Sequence, residues 1–470
     1  MTEIIDEATP DLSSFDKMPS HSVGNADRGL PQPSATQIAF RFFHLVSTLC
    51  GYGSIYIFRR LSGRDARHRA AGEFLASACD RLGGAFVKMG QLLSTRADLL
   101  PPEIIERLTH LRNRVPPFAA RLSDEAQRTL LPQTLRAALA TLDPEPIAAA
   151  GVAQVHRGRL HDGRAVAIKL RRPSVALEIA CDLRIVDGLA AAAGRIPGLR
   201  MLPVRSIFGE VNDAIARQVD FTREAAAADR LRRAFACHTG IHIPAVVHEH
   251  TRPDCLVLEF VEGLTPIEHA IFDAGARKHA ARNAIIMLFE MAFLEGLVHC
   301  DMHPGNLFFR PDGRLVLLDF GFVCDLDLPT HNAYTDFFMG FANNDGRRCA
   351  RVITETALAR PSNFDHGAFD KAMAALIARH HARNARDFEV AQFAVELFET
   401  QRRFRISGST AFTMTIVGFL VLEGVIKLLD PEMDFQGEAR RFFEERAIWR
   451  RFFSDRALLQ ERADAARAAG

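Results

Sequence analysis

Apolar side chains recur at helical spacing through the first third of the chain. Between about residues 70 and 140 they fall three or four positions apart, as on one face of an amphipathic helix. Two proline pairs, Pro101-Pro102 and Pro116-Pro117, interrupt the pattern and divide it into several helices. The recurring apolar positions are Phe74, Leu75, Leu82, Phe86, Met89 and Leu93. This segment is predicted to be a helical block.

The period changes near residue 145, where short apolar runs flank turn-forming residues. Residues 155–160 and 165–170 lie on either side of His161-Asp162-Gly163-Arg164, which predicts a strand, a tight turn and a second strand. An alanine-rich helical stretch follows to about residue 235. Residues 255–260 then form another short apolar run, which predicts a further strand.

A second hairpin interrupts the helical pattern of the C-terminal half. Residues 307–310 and 315–318 flank Pro311-Asp312-Gly313-Arg314, whereas the pattern is helical again from near 265 and on to about 465. A small lobe with strands ahead of a large helical lobe is the outline of a two-lobed, protein-kinase-like α+β fold.

Two apolar stretches are candidates for contact with a membrane. Residues 42–58 carry no formal charge, but they fall short of the ~20 apolar residues that a span requires. They fit either an interfacial helix on a membrane or a helix packed against the protein's own body. Residues 406–422 fit a buried core helix, with one polar edge at Glu423 and Lys427. Neither stretch is predicted to cross a membrane.

Composition and charge narrow the class of protein. The 470 residues, 48% hydrophobic and 24% charged, suit a two-lobed enzyme or two to three modules. Totals of 58 Lys plus Arg and 57 Asp plus Glu suggest no nucleic-acid partner.

Eight scattered cysteines without a Cys-x-x-Cys pair favour reduced thiols in a cytoplasm-like compartment. The polar start is predicted to be disordered and offers no sign of a secretion signal.

A lysine and a glutamate are placed for binding phosphates. Phosphoryl transfer needs a cation on the phosphates, carboxylates on the metal and a carboxylate near the attacking oxygen. Val166-Ala167-Ile168-Lys169 puts Lys169 on a strand just after a hairpin, where it can face a cleft. Because an unpaired ammonium would lose its geometry, a helical glutamate is expected beside it. Glu224, in Asp220-Phe221-Thr222-Arg223-Glu224-Ala225, is the predicted partner.

The strongest chemical signal is His299-Cys300-Asp301-Met302-His303-Pro304-Gly305-Asn306, followed by Asp319-Phe320-Gly321. Asp301 is expected to orient or deprotonate the acceptor, and Asn306 and Asp319 to ligate a metal that bridges the phosphates. Val-Ala-Ile-Lys or Asp-Phe-Gly alone would be weak evidence. Both in order, with the His-x-Asp-x-x-x-x-Asn spacing between them, are typical of a kinase.

The residues around Asp301 have structural interpretations. His299 and His303 could suggest zinc, but no third ligand with suitable spacing follows, so His299 is predicted to brace the loop. Cys300 is predicted to be a small packed side chain and not a nucleophile.

Further motifs make the chain resemble the UbiB/AarF, or ADCK-type, family of atypical kinases over about residues 70–435. They are similar to the family's Lys-x-Gly-Gln helix, its alanine-rich loop, its acidic motif, its His-x-Asp-x-His-Pro-Gly-Asn loop and its late helical segment. The matching segments are Lys88–Gln91, Ala148–His156, Asp220–Ala225, His299–Asn306 and Leu422–Gly424 with Leu429-Asp430-Pro431.

The resemblance implies an enzyme that uses ATP with Mg²⁺ or Mn²⁺. In this family an alanine-rich loop replaces the glycine-rich phosphate loop, so Ala149, Ala150 and Gly151 are expected to contact the nucleotide. Methyl groups there hinder backbone amides from closing over phosphates. Backbone groups at Glu259 and Val261, where the lobes join, are expected to hold adenine.

The resemblance also implies a gate over the cleft. Lys88 and Gln91 of the Lys-x-Gly-Gln helix are expected to lie where a peptide substrate would dock. The acidic motif, here with Gln218 and Asp220, is expected to contact Lys88.

Three departures from the family pattern bear on function. Gly151 stands where the loop usually ends in Ser, which frees the backbone. Gln218 stands where the acidic motif usually has Glu, which removes a charge from the expected contact with Lys88. The C-terminus carries Arg, Glu and Asp around Trp449 in place of the hydrophobic membrane helices frequent in bacterial members of the ubiquinone pathway. Membrane attachment and the ubiquinone assignment are left open by this last departure.

The function implied is ATP hydrolysis or phosphoryl transfer that supports ubiquinone biosynthesis or isoprenoid-lipid handling at a membrane. Implied partners are a nucleotide, an isoprenoid lipid or quinone precursor, a membrane surface and ubiquinone-biosynthesis proteins, with a location in the cytoplasm or peripherally at the inner membrane. Three alternatives stay open. They are a protein kinase, a nucleotide-binding pseudokinase scaffold, and a small-molecule kinase of the aminoglycoside type.

These patterns predict five segments. They are a disordered N-terminus (1–34), an apolar helix (35–62), a helical extension with the Lys-x-Gly-Gln motif (63–140), a kinase-like N-lobe (141–263) and a kinase-like C-lobe with C-terminal helices (264–470).

Overall fold

The protein is an α+β protein with a kinase-like fold. The computed structural model describes residues 29–59, 64–94, 96, 100–109, 111, 119–149, 151–193, 204–267, 274–381 and 389–445. Three sequence predictions lie wholly or largely outside these residues: the disorder of residues 1–34, the role of Ala150 and the helical pattern beyond 445.

Helices dominate the chain before the first sheet. Serine caps α5: the Ser123 side chain accepts a hydrogen bond from the Ala126 amide, which satisfies one of the free donors at that helix start. The helices are α1 (Ala35–Arg59), α2 (Arg64–Leu82), α3 (Gly84–Leu93), α4 (Pro102–Thr109), α5 (Asp124–Leu130) and α6 (Gln133–Ala138).

An antiparallel sheet forms the small lobe. Its strands run in the order β1 (Leu139–Leu142), β3 (Ala153–Leu160), β4 (Ala165–Arg171) and β6 (Cys255–Glu259), with β2 (Ala148–Ala149) paired to β3. Gly163, with φ of 90°, makes the tight turn between β3 and β4 as the sequence predicts. Even-numbered residues of β4 are buried under α5 and α6, so its odd-numbered residues face the cleft.

Three α-helices lie in the described part of the chain between β4 and β6. They are α7 (Val175–Ala193), α8 (Val204–Arg217) and α9 (Phe221–Ala234). Helix α3 packs against both α7 and α8, which places the Lys-x-Gly-Gln segment on the small lobe.

The large lobe is mainly helical, with two small sheets beside the cleft. Its helices are α10 (Ala274–Glu290, continued by a π-turn Met291–Glu295), α11 (Leu328–Ala342), α12 (Gly346–Glu355), α13 (His366–His381), α14 (Val390–Arg403), α15 (Thr410–Leu429) and α16 (Phe435–Glu445). Its strands are β5 (Ile241–His242), β7 (Thr265–Pro266), β8 (Leu297–His299), β9 (Leu307–Phe309), β10 (Leu315–Leu317) and β11 (Val323–Asp325).

Two details differ from the sequence analysis. The segment near residue 265 is not helical: Thr265 and Pro266 form β7, which pairs with β9. Strand β5, within the range assigned to the N-lobe, pairs in parallel with β10 of the large lobe. Such two-residue strands have no readable alternation, and long-range pairing decides their conformation.

Helix α15 is the apolar stretch predicted to be a core helix, and its burial confirms that prediction. Among the described helices it alone is long and apolar enough to cross a membrane, yet 72% of its apolar window is buried inside the protein. It begins at Thr410 and not at 406, because Ser409 caps it through the amide of Phe412. Its buried Glu423 accepts hydrogen bonds from the amides of Val390 and Ala391 at the start of α14.

Candidate active site

Lys169 and Glu224, the partners predicted from the sequence, form an ion pair within the small lobe. Lys169 lies on the cleft-facing side of β4, and its Nζ is 2.7 Å from Oε1 of Glu224. The same ammonium lies 3.4 Å from Oδ1 of Asp319. Burial alone would lower the pKa of Lys169, but the charges of Asp319 and Glu224 raise it above its usual value. The lysine is therefore a fixed cation.

Glu224 is held by α9. The Asp220 side chain caps that helix by accepting from the Thr222 amide, and this turns Glu224 inward one turn later. Glu224 is 4% exposed, and its Oε1 also accepts a hydrogen bond from the Phe320 amide at 3.5 Å. One carboxylate thus connects Lys169 to the Asp-Phe-Gly segment.

Asp319 is ionised in the site. Its Oδ1 accepts a hydrogen bond of 2.8 Å from the Gly321 amide. Burial alone would raise the pKa of Asp319, but the Lys169 ammonium and the Gly321 amide lower it well below its usual value. Gly321 allows this turn, since a Cβ there would stand 3.1 Å from Oδ1 of Asp319.

His299 braces the two loops that carry Asp301 and Asp319. Its Nδ1 accepts from the Asp301 amide at 3.1 Å, and its Nε2 donates to the Asp319 carbonyl oxygen. An amide can only donate and a carbonyl can only accept, so the ring is the neutral Nε2–H tautomer. Burial lowers the pKa of His299, which favours this neutral form. This is the bracing position that the sequence predicts.

The remaining loop residues shape the floor of the cleft. The Asp301 carboxylate is 3.7 Å from Nε2 of His303, and Cys300 is buried. Asn306 donates from Nδ2 to the Asp301 carbonyl at 2.9 Å, which leaves its side-chain oxygen to accept.

Asn306 and Asp319 fit a divalent cation that is shared with a ligand. Among the described residues, no group of three His, Cys, Asp or Glu side chains could hold a metal unaided. Mg²⁺ usually takes one or two side-chain oxygens and completes its shell with waters and substrate phosphates. An Asn oxygen and an ionised Asp are such a donor set.

The alanine-rich loop begins in β2 and turns at Gly151. Ala149 pairs with Gln154 of β3. Gln154 and His156 are fully buried on the sheet face opposite the cleft, where Gln154 Nε2 lies 2.8 Å from His156 Nε2. The His156 Nδ1 then donates to the Asp143 carbonyl at 3.0 Å. This polar pair anchors the strand that follows the loop.

The segment after β6 presents free backbone groups beside the cleft. Phe260 donates its amide to the Ala165 carbonyl, which ties the segment to β4. The Val261 amide has no hydrogen-bond partner within the described part of the chain. The Glu259 side chain points elsewhere, with its carboxylate 3.2 Å from His242 and bonded to the Ala245 amide. Only the backbone of Glu259 is left for a nucleotide.

The gating residues are arranged differently from the expectation. Lys88 lies close enough to Asp319 and Asp301 for their charges to act on it, although burial lowers its pKa overall. It forms no ion pair or hydrogen bond with any described residue. The expected contact with Asp220 is absent, because that carboxylate caps α9 and bonds Thr222.

Gln91 and Gln218 do not meet Lys88 either. The Gln91 amide donates to the Leu111 carbonyl at 3.1 Å, within the extension. Gln218 follows α8, and its backbone amide bonds the Ile215 carbonyl. Lys88 is thus the member of this group that lies near the carboxylates of Asp301 and Asp319.

The sequence analysis missed a charged pair and a glycine that support the site. Arg41 of α1 and Asp182 of α7 form a bidentate ion pair with distances of 2.6 and 3.0 Å. Arg41 is a single charge inside a run of apolar residues, and that isolation is a signal that could have found it, whereas Asp182 has other charged residues close by in the sequence. Gly418 of α15 lies against the loop that carries Asp301, where an added Cβ would stand 3.1 Å from the His299 carbonyl oxygen.

Comparisons with known proteins identify the family of the chain. The ABC1 atypical kinase-like domain matches residues 110–353. A Xylella fastidiosa (strain M23) protein named "Probable protein kinase UbiB" is 30% identical over 402 residues, which cover 84% of this chain and 72% of that protein. A protein of the same name from Aeromonas salmonicida (strain A449) is 32% identical over 393 residues, covering 79% and 71%.

A solved structure shares the fold. The Mycobacterium tuberculosis protein Rv3197, solved in complex with erythromycin, aligns with a TM-score of 0.50 at 19% identity, over 77% of this chain and 92% of that one. The domain match and the relatives together confirm the resemblance drawn from the motifs. The chain belongs to the ABC1 atypical kinase-like family and is of its UbiB type.

Proposed function

We propose that this protein binds ATP with Mg²⁺ or Mn²⁺ and hydrolyses it or transfers its γ-phosphate. One observation carries the proposal: the ammonium of Lys169 is held between Glu224 and Asp319 at 2.7 and 3.4 Å, with Asp301 on the adjoining loop. Phosphoryl transfer depends mainly on positioning and electrostatic stabilisation, and this cluster supplies both.

Each residue has a distinct role in this proposal. Lys169 binds the phosphates, and Glu224 keeps its ammonium in place. Asp301 orients or deprotonates the acceptor, which is water or a small molecule. Asn306 and Asp319 hold the cation, which when bound neutralises charge on the β- and γ-phosphates. The adenine base bonds the backbone at Glu259 and Val261, and the loop from Ala149 to Gly151 covers the phosphates.

The position of Lys88 favours water or a small molecule, and not a protein, as the acceptor of the phosphoryl group. Its ammonium stands near Asp301 and Asp319, and its helix α3 packs on the small lobe over the cleft. A peptide needs an open, extended groove beside the catalytic carboxylate. A protein kinase activity remains the second candidate, and the relatives' name, "Probable protein kinase UbiB", favours it.

The relatives' name also favours a role in ubiquinone biosynthesis, with a quinone precursor or another isoprenoid lipid and the proteins of that pathway as partners. Helix α1 supports action at a membrane surface, and we propose that this surface is the cytoplasmic side of the inner membrane. It exposes large apolar side chains on its outer face, as interfacial helices do. These are Phe40, Phe42, Phe43, Val46 and Leu49.

The first experiment measures ATP turnover with Mg²⁺ in the wild type and in Asp319→Asn. Asp312→Asn is the matched control, because that carboxylate lies on an exposed turn and pairs with Arg314. We expect turnover in the wild type and the control, and its loss in Asp319→Asn. A wild type that binds ATP without turning it over, and an Asp301→Asn variant that still complements a knockout, would instead support a pseudokinase scaffold.

The membrane role is tested by flotation with anionic vesicles. The variant Phe40→Ser/Phe43→Ser removes two side chains that are 77% and 71% exposed on α1. Leu428→Ser removes a 51% exposed side chain on the large lobe and serves as the control. Binding that both variants keep would place the contact with lipid elsewhere.

A further inference from the structure

A single ion pair joins four helices beside the cleft. Arg41 of α1 contacts both carboxylate oxygens of Asp182 in α7. The same guanidinium donates from Nη2 to the Leu82 carbonyl, at the end of α2, over 2.7 Å. The Asp182 Oδ2 accepts from the Ala85 amide, in the first turn of α3, at 3.2 Å. The pair therefore holds the junction between α2 and α3 from both sides.

The charges match the two helix ends that they touch. A cation lies at the C-terminus of α2 and an anion at the N-terminus of α3, which is the favourable orientation for both helix dipoles. Burial raises the pKa of Asp182 to about 6 despite the opposing pull of Arg41, so the carboxylate is ionised at neutral pH. The Asp182 side chain is fully buried, and Arg41 is 14% exposed. Little water can therefore reach either charge to replace its partner.

Two glycines between α2 and α3 let the backbone approach the Arg41–Asp182 ion pair closely. Gly83 and Gly84 have φ of 64° and 52°, which favours glycine. A Cβ on Gly84 would stand 2.9 Å from Oδ2 of Asp182. The backbone thus turns against the carboxylate, and α3 starts in a position that Asp182 sets.

Lys88 lies one turn beyond Ala85 on the same short helix, and it has no bond of its own to any described residue. We propose that Arg41 and Asp182 are positioning residues that hold α3, and so keep the Lys88 ammonium over Asp301 and Asp319. This inference deepens the proposed function, because it names what sets the gate over that same site.

The variants are chosen so that the fold survives. Asp182→Asn alone leaves the Arg41 guanidinium buried without its anion, and removal of one partner of a buried pair is strongly destabilising. The double variant Arg41→Met/Asp182→Asn leaves no unpaired charge, and its Asn oxygen can still accept from Ala85. Arg41→Lys keeps the charge but loses the two-pronged contact, so it serves as the conservative rescue.

The main readout needs no ATP turnover. The chain has only six lysines, so acetylation by an N-hydroxysuccinimide ester can be followed at each one by mass spectrometry. We expect the rate at Lys88, relative to that at the exposed Lys371, to rise at least about fivefold in the double variant, the lower end for coupled sites. Arg41→Lys should give an intermediate rate.

A second buried ion pair serves as the control for a general loss of rigidity in the protein. Arg348 and Asp336 form a comparably buried ion pair between α11 and α12 of the large lobe. The variant Arg348→Met/Asp336→Asn should leave the Lys88 ratio unchanged. An unchanged ratio in Arg41→Met/Asp182→Asn, or an equal rise in both double variants, would overturn the proposal.

Turnover gives a second readout, separate from the first. If the pair acts through Lys88, the double variant changes kcat and KM for ATP in the wild-type background and has no further effect in Lys88→Ala. Additive effects in the two backgrounds would show a merely structural pair. If no variant turns over ATP, the proposed function fails while the labelling result still decides the positioning role.

Discussion

His299 donates a hydrogen bond from its Nε2 to the carbonyl oxygen of Asp319, 20 residues further along the chain. Its other ring nitrogen accepts from the amide of Asp301. The proposed catalytic carboxylate and the proposed metal ligand are therefore held at a fixed spacing by one neutral imidazole. Neither bond involves a carboxylate oxygen, so His299 holds the two loops without occupying the carboxylates proposed for substrate and metal.

Replacement of His299 should impair catalysis without touching a ligand. We expect His299→Ala to lower ATP turnover about 10- to 100-fold, as is usual when a residue behind a metal ligand is removed. His299→Gln keeps an amide donor and an acceptor and should recover part of the loss. The measurement is turnover as a function of Mg²⁺ concentration. Wild-type kinetics in His299→Ala would show that the two loops hold their spacing unaided.

Gly418 should be essential for the approach of α15 to the catalytic loop. A methyl group there meets the backbone carbonyl of His299, which cannot rotate away, so Gly418→Ala should cost about 1–3 kcal/mol of stability and lower turnover. Gly424, in the same helix, is exposed and has nothing within 4 Å of an added Cβ. Gly424→Ala should leave turnover unchanged and raise stability by up to about 1 kcal/mol. Denaturation and turnover of both variants check the pair.

Much of this site could be predicted because its chemistry lies in short motifs. The alternation along β4 after its turn determines that Lys169 lies on the cleft-facing side of the strand. His299 belongs to the same sequence motif as Asp301, whose loop it holds in place. The position of Lys88 could not be predicted in the same way. The sequence offers Asp220 as a partner for Lys88. In the structure, however, the Asp220 carboxylate is the N-cap of α9 and is therefore not available to Lys88.

The residues that hold the site in place could not be predicted from the sequence, for a different reason. Arg41 and Asp182 lie 141 positions apart, and no local pattern links them. The two-residue strands β5 and β7 likewise form only because a distant strand offers a partner. Sequence periodicity reports which face of an element is buried, whereas tertiary packing decides what that face meets.

Lys169 and Glu224 should behave as one unit. Lys169→Met should lower ATP turnover at least about 100-fold, equivalent to ~2.7 kcal/mol of transition-state stabilisation. Glu224→Gln should cost less, since the second, longer contact of the Lys169 ammonium with Asp319, at 3.4 Å, can take over part of its role. The double variant should be no worse than Lys169→Met, because Glu224 acts through the lysine.

Folding must be measured beside turnover for these variants. Lys169→Met leaves the buried Glu224 without its cation, which costs stability. Circular dichroism and thermal denaturation separate that loss from a catalytic one, and Lys278→Met, at an exposed lysine, supplies the control. Independent, additive losses in the double variant would contradict the paired role.

Gly151 offers the sharpest test of the alanine-rich loop. A Cβ at this position has nothing within 4 Å, and its φ lies outside the range that favours glycine, so Gly151→Ala should leave stability unchanged or raise it by up to ~1 kcal/mol. A methyl group should nevertheless keep the loop amides from closing over phosphates. We expect the Kd for ATP to rise by up to about tenfold, roughly one charge-assisted hydrogen bond. Gly188→Ala, equally open but in α7, should leave the Kd for ATP unchanged. Equal affinities in the wild type and Gly151→Ala, measured by calorimetry, would show that this loop does not contact the phosphates through its backbone.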